Sequence, residues 1–169
     1  SPNGRFIAFG DLNSNLSIYD FERDEIVDTV YVGVSYSPHF EWSLDSQWIM
    51  AMAMQPSLDP TFLAAKIYRV NEGKLILDRE FHFPQDMIGK KGFAVNFDWN
   101  RNSPETVQAL FRTYTDITFF DEQENQYHYF DFDNLIEFGY LGTYWLENNE
   151  FLIINNSSDD LIIIYFVTG

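Results

Sequence analysis

The feature that most constrains this chain is a unit of turn, apolar strand, polar turn and apolar strand that opens it and then returns. Ser1-Pro2-Asn3-Gly4 reads as a turn, because Pro fixes φ at its second position and Asn-Gly tolerates positive φ. Residues 5–10 read as a strand, 11–15 as a polar turn, and 16–20 as a strand with period-two alternation. A turn at 22–25 leads to a third strand at 26–32. The pattern recurs at Ser43-Leu44-Asp45-Ser46, now preceded by a strand at 39–42. After the strand that follows come a Pro-bearing loop at 55–60, a strand at 63–70, the turn Asn71-Glu72-Gly73, and a strand at 74–83. A third unit places strands at 93–99, 106–113, 116–121 and 126–132; a fourth places them at 142–146, 150–154 and 161–167.

The prediction is an all-β chain. Its composition agrees, with 17 Phe, 10 Tyr and 18% aromatic residues in all, since aromatic side chains suit a half-buried pleated surface. Four antiparallel strands per unit, returning at a spacing of several tens of residues, is the pattern of a β-propeller blade. Third strands align as Ile18-Tyr19-Asp20, Ile67-Tyr68-Arg69, Phe119-Phe120-Asp121 and Ile164-Tyr165-Phe166. Many short strands with turn signals also fit a sandwich or an irregular barrel, but one turn–strand order repeated at a common offset favours the blades. Tyr19 and Trp48 are expected as core aromatics.

The chain resembles the WD-repeat and WD-repeat-like propellers, whose blades carry a Ser-Pro-Asp-Gly turn before the second strand and Trp-Asp at the end of the third. Ser1-Pro2-Asn3-Gly4 and Tyr19-Asp20 match that pattern well; Ser43-Leu44-Asp45-Ser46 and Phe120-Asp121 match it loosely. Val30-Tyr31-Val32-Gly33 is similar to the blade ending of bacterial surface-layer-type propellers. The resemblance implies blades at roughly 1–33, 34–83, 93–132 and 140–169, about 14 strands in one propeller segment. On that reading the first blade lacks its innermost strand and the last its outermost. The expectation is an incomplete ring, closed by further blades of the same polypeptide or of another subunit.

Charge narrows the partners. The net charge is −16, spread as −7 over residues 1–65, +2 over 66–112 and −11 over 113–169. Affinity for phosphate backbones comes from Lys and Arg displacing counterions, so nucleic-acid binding is excluded and a protein partner, possibly basic, is expected. The longest apolar run, 161–167, is far too short to cross a bilayer as a helix, so no membrane partner is expected. The absence of cysteine removes disulfides and thiolate chemistry.

In the implied propeller one rim collects the longer loops, richer in Tyr, Pro, Met and Lys, and long loops on a rigid scaffold are where binding concentrates. The candidate binding residues on it are Tyr36, His39, Asp59, Met87, Lys90, Lys91, Tyr114 and Tyr140. No metal site or cofactor is expected. His39, His82 and His128 lack metal-ligand spacing, and the calcium-loop-like stretch 11–22 has Leu16 where a Gly is required. No nucleophile elbow, phosphate loop or dinucleotide fingerprint occurs, and no catalytic residue is singled out. The leading expectation is a non-catalytic interaction scaffold; the alternative is a ligand-binding or enzymatic bacterial propeller with its site at the central channel.

Overall fold

A computed structural model describes residues 1–33, 39–53, 64–82, 96–102, 104, 108–112, 116–122, 126–131, 140–146, 150–156 and 161–167. These residues are all-β, with no helix among them. The strands are β1 (Phe6–Gly10), β2 (Asn15–Asp20), β3 (Glu25–Tyr31), β4 (His39–Trp42), β5 (Trp48–Ala53), β6 (Ala64–Asn71) and β7 (Lys74–His82). They continue as β8 (Asn96–Trp99), β9 (Gln108–Arg112), β10 (Asp116–Asp121), β11 (Gln126–Asp131), β12 (Tyr140–Trp145), β13 (Glu150–Asn156) and β14 (Leu161–Val167). Among the described residues these strands form four meandering sheets in which sequence neighbours pair antiparallel: β1-β2-β3, β4-β5-β6-β7, β8-β9-β10-β11 and β12-β13-β14. We refer to them as the first to fourth sheets.

Strands β4, β10 and β14 have the ranges expected from sequence, and most others differ by one or two residues at an end. Such shifts follow from where ladder bonds stop rather than from side-chain pattern. The chain divides into two compact units, Ser1–Ile88 and Gly89–Gly169, each holding two sheets.

The sheets repeat one register. In the first three, Phe6 lies opposite Asp20, Trp48 opposite Arg69 and Gln108 opposite Asp121; in the fourth the equivalent residue, Glu150, lies opposite Val167, one position beyond the Ile164-Tyr165-Phe166 expected to align. In the first and second sheets a bulge interrupts pairing at the same place, between Ile18 and Tyr19 and between Ile67 and Tyr68. A bulge adds local twist, so both sheets bend at one point along their third-strand motif.

The turns repeat too. Phe6 N donates to Ser1 Oγ at 2.9 Å, and Ser1 Oγ donates to Asn3 Oδ1 at 2.7 Å. At the next unit Trp48 N donates to Ser43 Oγ at 3.0 Å, and Ser43 Oγ donates to Asp45 Oδ1 at 2.5 Å. Gly4 and Ser46 hold equivalent positive φ values of 75° and 62°. Serine and a short Asx side chain thereby satisfy a turn whose backbone has no ladder partner.

Within unit 1 the first and second sheets share one core. Phe6, Leu16, Ile18, Val27 and Val32 of the first pack with Ile49, Ala51, Tyr68 and Leu75 of the second. Burial of a side chain such as Leu16 or Ile18, both without exposure, contributes about 1.5–3 kcal/mol. Phe6 stacks on Trp42 at 6.3 Å between ring centroids. Polar links among the described residues join the sheets as well: Asn3 N to Ser46 Oγ at 3.0 Å, Lys74 Nζ to Val27 O at 2.8 Å, and Leu75 N to Asp28 Oδ2 at 2.7 Å.

Tyr19 and Trp48 are not core aromatics; both are half-buried. Alternation explains it. Tyr19 lies opposite Ile7, on the face of the first sheet turned from the shared core, and Trp48 lies on the other face of β5 from Ile49, under the Arg69 guanidinium.

In unit 2, Trp99 and Phe120 are fully buried. A polar chain lies among them: Asn100 Nδ2 donates to Gln108 Oε1 at 2.6 Å, and Gln108 Nε2 donates to Asp121 Oδ2 at 2.7 Å. β8 lies beside β12, and Asn102 Nδ2 donates to Leu146 O at 2.9 Å.

Candidate functional site

Two of the eight candidate rim residues fall within the described residues. His39 opens β4 opposite Met52, with Nε2 3.6 Å from Glu41 Oε1. Tyr140 opens β12 opposite Asn156. Tyr36, Asp59, Met87, Lys90, Lys91 and Tyr114 lie outside the described residues. His39 and Tyr140 belong to different units.

The stretch resembling a calcium loop is a self-satisfied turn. Asp11 Oδ1 accepts from Asn13 N at 2.8 Å and from Asn15 N at 3.0 Å, and Asp11 Oδ2 accepts from Asn15 Nδ2 at 2.9 Å. These bonds, that of the Asn15 side chain foremost, hold the Asp11 carboxyl below its ordinary value. Glu22, the residue that would complete the loop, pairs instead with Arg5 at 3.2 Å. Among the described residues no three His, Asp or Glu side chains converge on a point where a metal ion would sit.

The other shifted groups serve structure. Asp20 is fully buried and takes the Arg5 guanidinium at 3.0 Å, with Glu22 N donating to its Oδ1 at 2.9 Å. The bond from Arg5 foremost lowers the Asp20 pKa and raises that of Arg5. Burial pushes Tyr68 up to about 12, so this core phenol stays neutral at physiological pH.

What stands out is the outer face of the first sheet. Strand alternation places Phe6, Ala8, Leu16 and Ile18 toward the core of unit 1 and Ile7, Phe9 and Tyr19 away from it. β3 adds Ile26, opposite Tyr19, and Tyr31, opposite Asn15; Phe21 meets the Tyr19 ring edge-on at 5.4 Å. Ile7, Phe9, Phe21, Ile26 and Tyr31 are 39–58% exposed. Large apolar side chains exposed together on one sheet face are the kind of surface that contact sites use.

Acidic groups border it. Glu22, Asp24 and Glu25 are exposed at its edge, and the Tyr19 hydroxyl donates to the Asp24 carboxylate, a bond that raises the Tyr19 pKa. The chemistry such a surface offers is desolvation of an apolar partner, framed by negative charge.

Register strengthens the reading. Ile7 and Phe9 correspond to Ile49 and Ala51 of the second sheet, and Tyr19 and Ile26 to Tyr68 and Leu77. In the second sheet, Ile49, Ala51 and Tyr68 are buried against the first. Along its first two strands the same face is therefore a packing surface in the second sheet and an exposed one in the first, while at the outer strand Leu77 is exposed as Ile26 is.

Loop-based reasoning missed this surface, although Phe6-Ile7-Ala8-Phe9 carried a signal. A strand apolar on both sides is one built to be covered on both.

No protein-family model matches the chain, and no curated protein matches it.

Proposed function

We propose that the protein is a non-catalytic interaction module built from WD-like propeller blades, with the outer face of the first sheet as its principal contact surface. The observation that carries this reading is the exposure of Ile7 and Phe9 on a face that also shows Phe21, Ile26 and Tyr31, while the register equivalents of Ile7 and Phe9, Ile49 and Ala51, are buried against another sheet. The partner that fits is a protein offering an apolar sheet face with Lys or Arg at its margin. The apolar part complements Ile7 and Phe9; the basic margin complements Asp24, Glu25 and a net charge of −16. The long rim loops, with Tyr36, Met87, Lys90 and Lys91, extend the same partner-binding role.

The blade arrangement is supported by the shared register, the repeated bulge and the repeated serine turn. It is also supported by two links that recur between sheets of a unit: turn to turn, at Asn3–Ser46 and Asn102–Leu146, and strand to equivalent strand, at β3–β7 and β8–β12.

The test places a photo-crosslinking amino acid at Phe9, and separately at Leu12 on the neighbouring turn, and identifies any protein captured from Phe9 alone. Binding of that protein, purified, is then measured against Phe9→Asp and Ile26→Asp. Loss of tenfold or more in affinity, about 1.4 kcal/mol, with weaker binding as salt rises, is the expected result. Unchanged affinity in both variants sinks the reading.

A further inference from the structure

Asn3-Gly4 is the only Asn-Gly pair in the chain, and both residues are exposed in the turn that leads into β1. The space around Gly4 is open, since a Cβ there would meet nothing within 4 Å, and no side chain shields its nitrogen. Gly4 N donates to Ser1 O at 3.0 Å, and Asn3 Oδ1 accepts from Ser1 Oγ at 2.7 Å and from Arg5 N at 3.1 Å. Asn3 N donates across to Ser46 Oγ, in the turn of the second sheet, at 3.0 Å. The amide nitrogen of the side chain, Nδ2, makes no hydrogen bond to any described residue.

The next unit shows what this turn needs at the position of Asn3. Asp45 stands there. Its Oδ1 accepts from Ser43 Oγ at 2.5 Å and from Gln47 N at 3.0 Å, and Ser46 N donates to Ser43 O at 3.1 Å as Gly4 N does to Ser1 O. The turn uses one acceptor oxygen, which a carboxylate supplies as well as an amide does. The Asn3 amide nitrogen is dispensable to it.

We infer that Asn3 is a deamidation site, and that the turn distinguishes its two products. The reaction starts when the turn opens and releases Gly4 N from Ser1 O, and exposed turns open at low cost in free energy. The Gly4 nitrogen gives up its proton and attacks Asn3 Cγ. The new N–C bond closes a five-membered imide, the Cγ–Nδ2 bond breaks, and Nδ2 takes up a proton and leaves as ammonia. Water then opens the imide. Cleavage between Gly4 N and Cγ restores the main chain with an aspartate at position 3. Cleavage between Gly4 N and the main-chain carbonyl carbon leaves isoaspartate, whose main chain runs through Cβ and Cγ.

The products differ in consequence. Aspartate keeps an acceptor oxygen where Asp45 has one. Isoaspartate lengthens the main chain by a methylene and moves the carboxylate back to Cα, which breaks the bonds from Ser1 Oγ and Arg5 N and loosens the link to Ser46. This site is separate from the contact surface proposed above, and neither depends on the other.

The test incubates the full chain at mildly alkaline pH and follows each asparagine by peptide mass spectrometry, with the exposed Asn13, followed by Ser14, as internal standard. Conversion at Asn3 should outpace that at Asn13 by about tenfold or more, a barrier lower by about 1.4 kcal/mol. It should fall to the Asn13 rate in Gly4→Ser, a substitution this backbone accepts because Ser46 holds the same positive φ. The two product forms are then separated by chromatography and melted. The aspartate form should melt with the unmodified chain and with Asn3→Asp, and the isoaspartate form lower by about 2 °C or more. Conversion at Asn3 no faster than at Asn13 overturns the proposal, as do equal melts for the two product forms.

Discussion

The first and second sheets of unit 1 are close to the same object in different surroundings. They share the serine turn, the positive φ at Gly4 and Ser46, and the bulge before Tyr19 and Tyr68. They differ in what covers them. Ile49 has no exposure, whereas Ile7, its register equivalent, is 45% exposed. One local structure thus serves as core or as surface, and only the neighbouring sheet decides which. Local hydrogen bonding builds the unit; burial of its faces is a property of the assembly.

The largest expected effect separates those equivalents directly. Ile49→Ala should destabilise by about 2–5 kcal/mol, the range for emptying a tightly packed site, and Ile7→Ala by under about 1 kcal/mol as a partly exposed position. Equal losses in urea melts would show that the outer face of the first sheet is covered in solution.

Next come two glycines at turns with positive φ. A Cβ on Gly73, at φ 84°, would meet Val27 Cγ2 at 2.5 Å and Phe6 Cε1 at 3.2 Å, whereas one on Gly4, at φ 75°, would meet nothing within 4 Å. Both alanine variants carry a left-handed backbone penalty of about 1 kcal/mol. Gly73→Ala should add about 1–3 kcal/mol for the clash between the sheets. Thermal melts of the two variants should therefore differ; coincident melts would mean that β3 and β7 give way without strain.

The serine turn supplies a smaller term. Ser43→Ala removes the hydroxyl that accepts from Trp48 N and donates to Asp45, and should cost about 0.5–1.5 kcal/mol. Chemical denaturation reads it, and Ser43→Thr, which keeps the hydroxyl, should recover most of the loss.

The smallest effect is in pH. Arg5 and the backbone amides around Asp20 hold its carboxyl below the ordinary 3.8. The unfolded chain therefore binds the proton more readily than the folded one. The stabilisation is fully present above pH 3.8 and is lost as pH falls through the lower folded value. Asp20→Asn should flatten the acid limb of a melting-temperature profile; an unaltered limb would place its cause elsewhere.

The third sheet shows a different answer to the same position. Asp121, in register with Asp20, accepts from Gln108, itself bonded to Asn100. Aspartate after two apolar residues was visible in both sequences. Their partners were not, because they lie 13 residues away for Gln108, in β9, and 15 for Arg5, just ahead of β1.

The sequence by itself determined the strands, their meandering order and the turns, because period-two alternation, Gly, Asn and Ser act over a few residues. The rim residues drawn from it rest on six positions outside the described residues, with only His39 and Tyr140 placed. Tyr19 and Trp48 turn from the shared core, and the outer face of the first sheet is exposed, for one and the same reason. Alternation states that a strand has two faces, but which face meets another sheet depends on contacts such as Phe6–Trp42 and Val27–Gly73, made between residues distant in the chain. Only the tertiary structure decided that Ile49 is core and Ile7 is surface, since hydrophobic burial is set by what lies across the gap and not by the strand that carries the side chain.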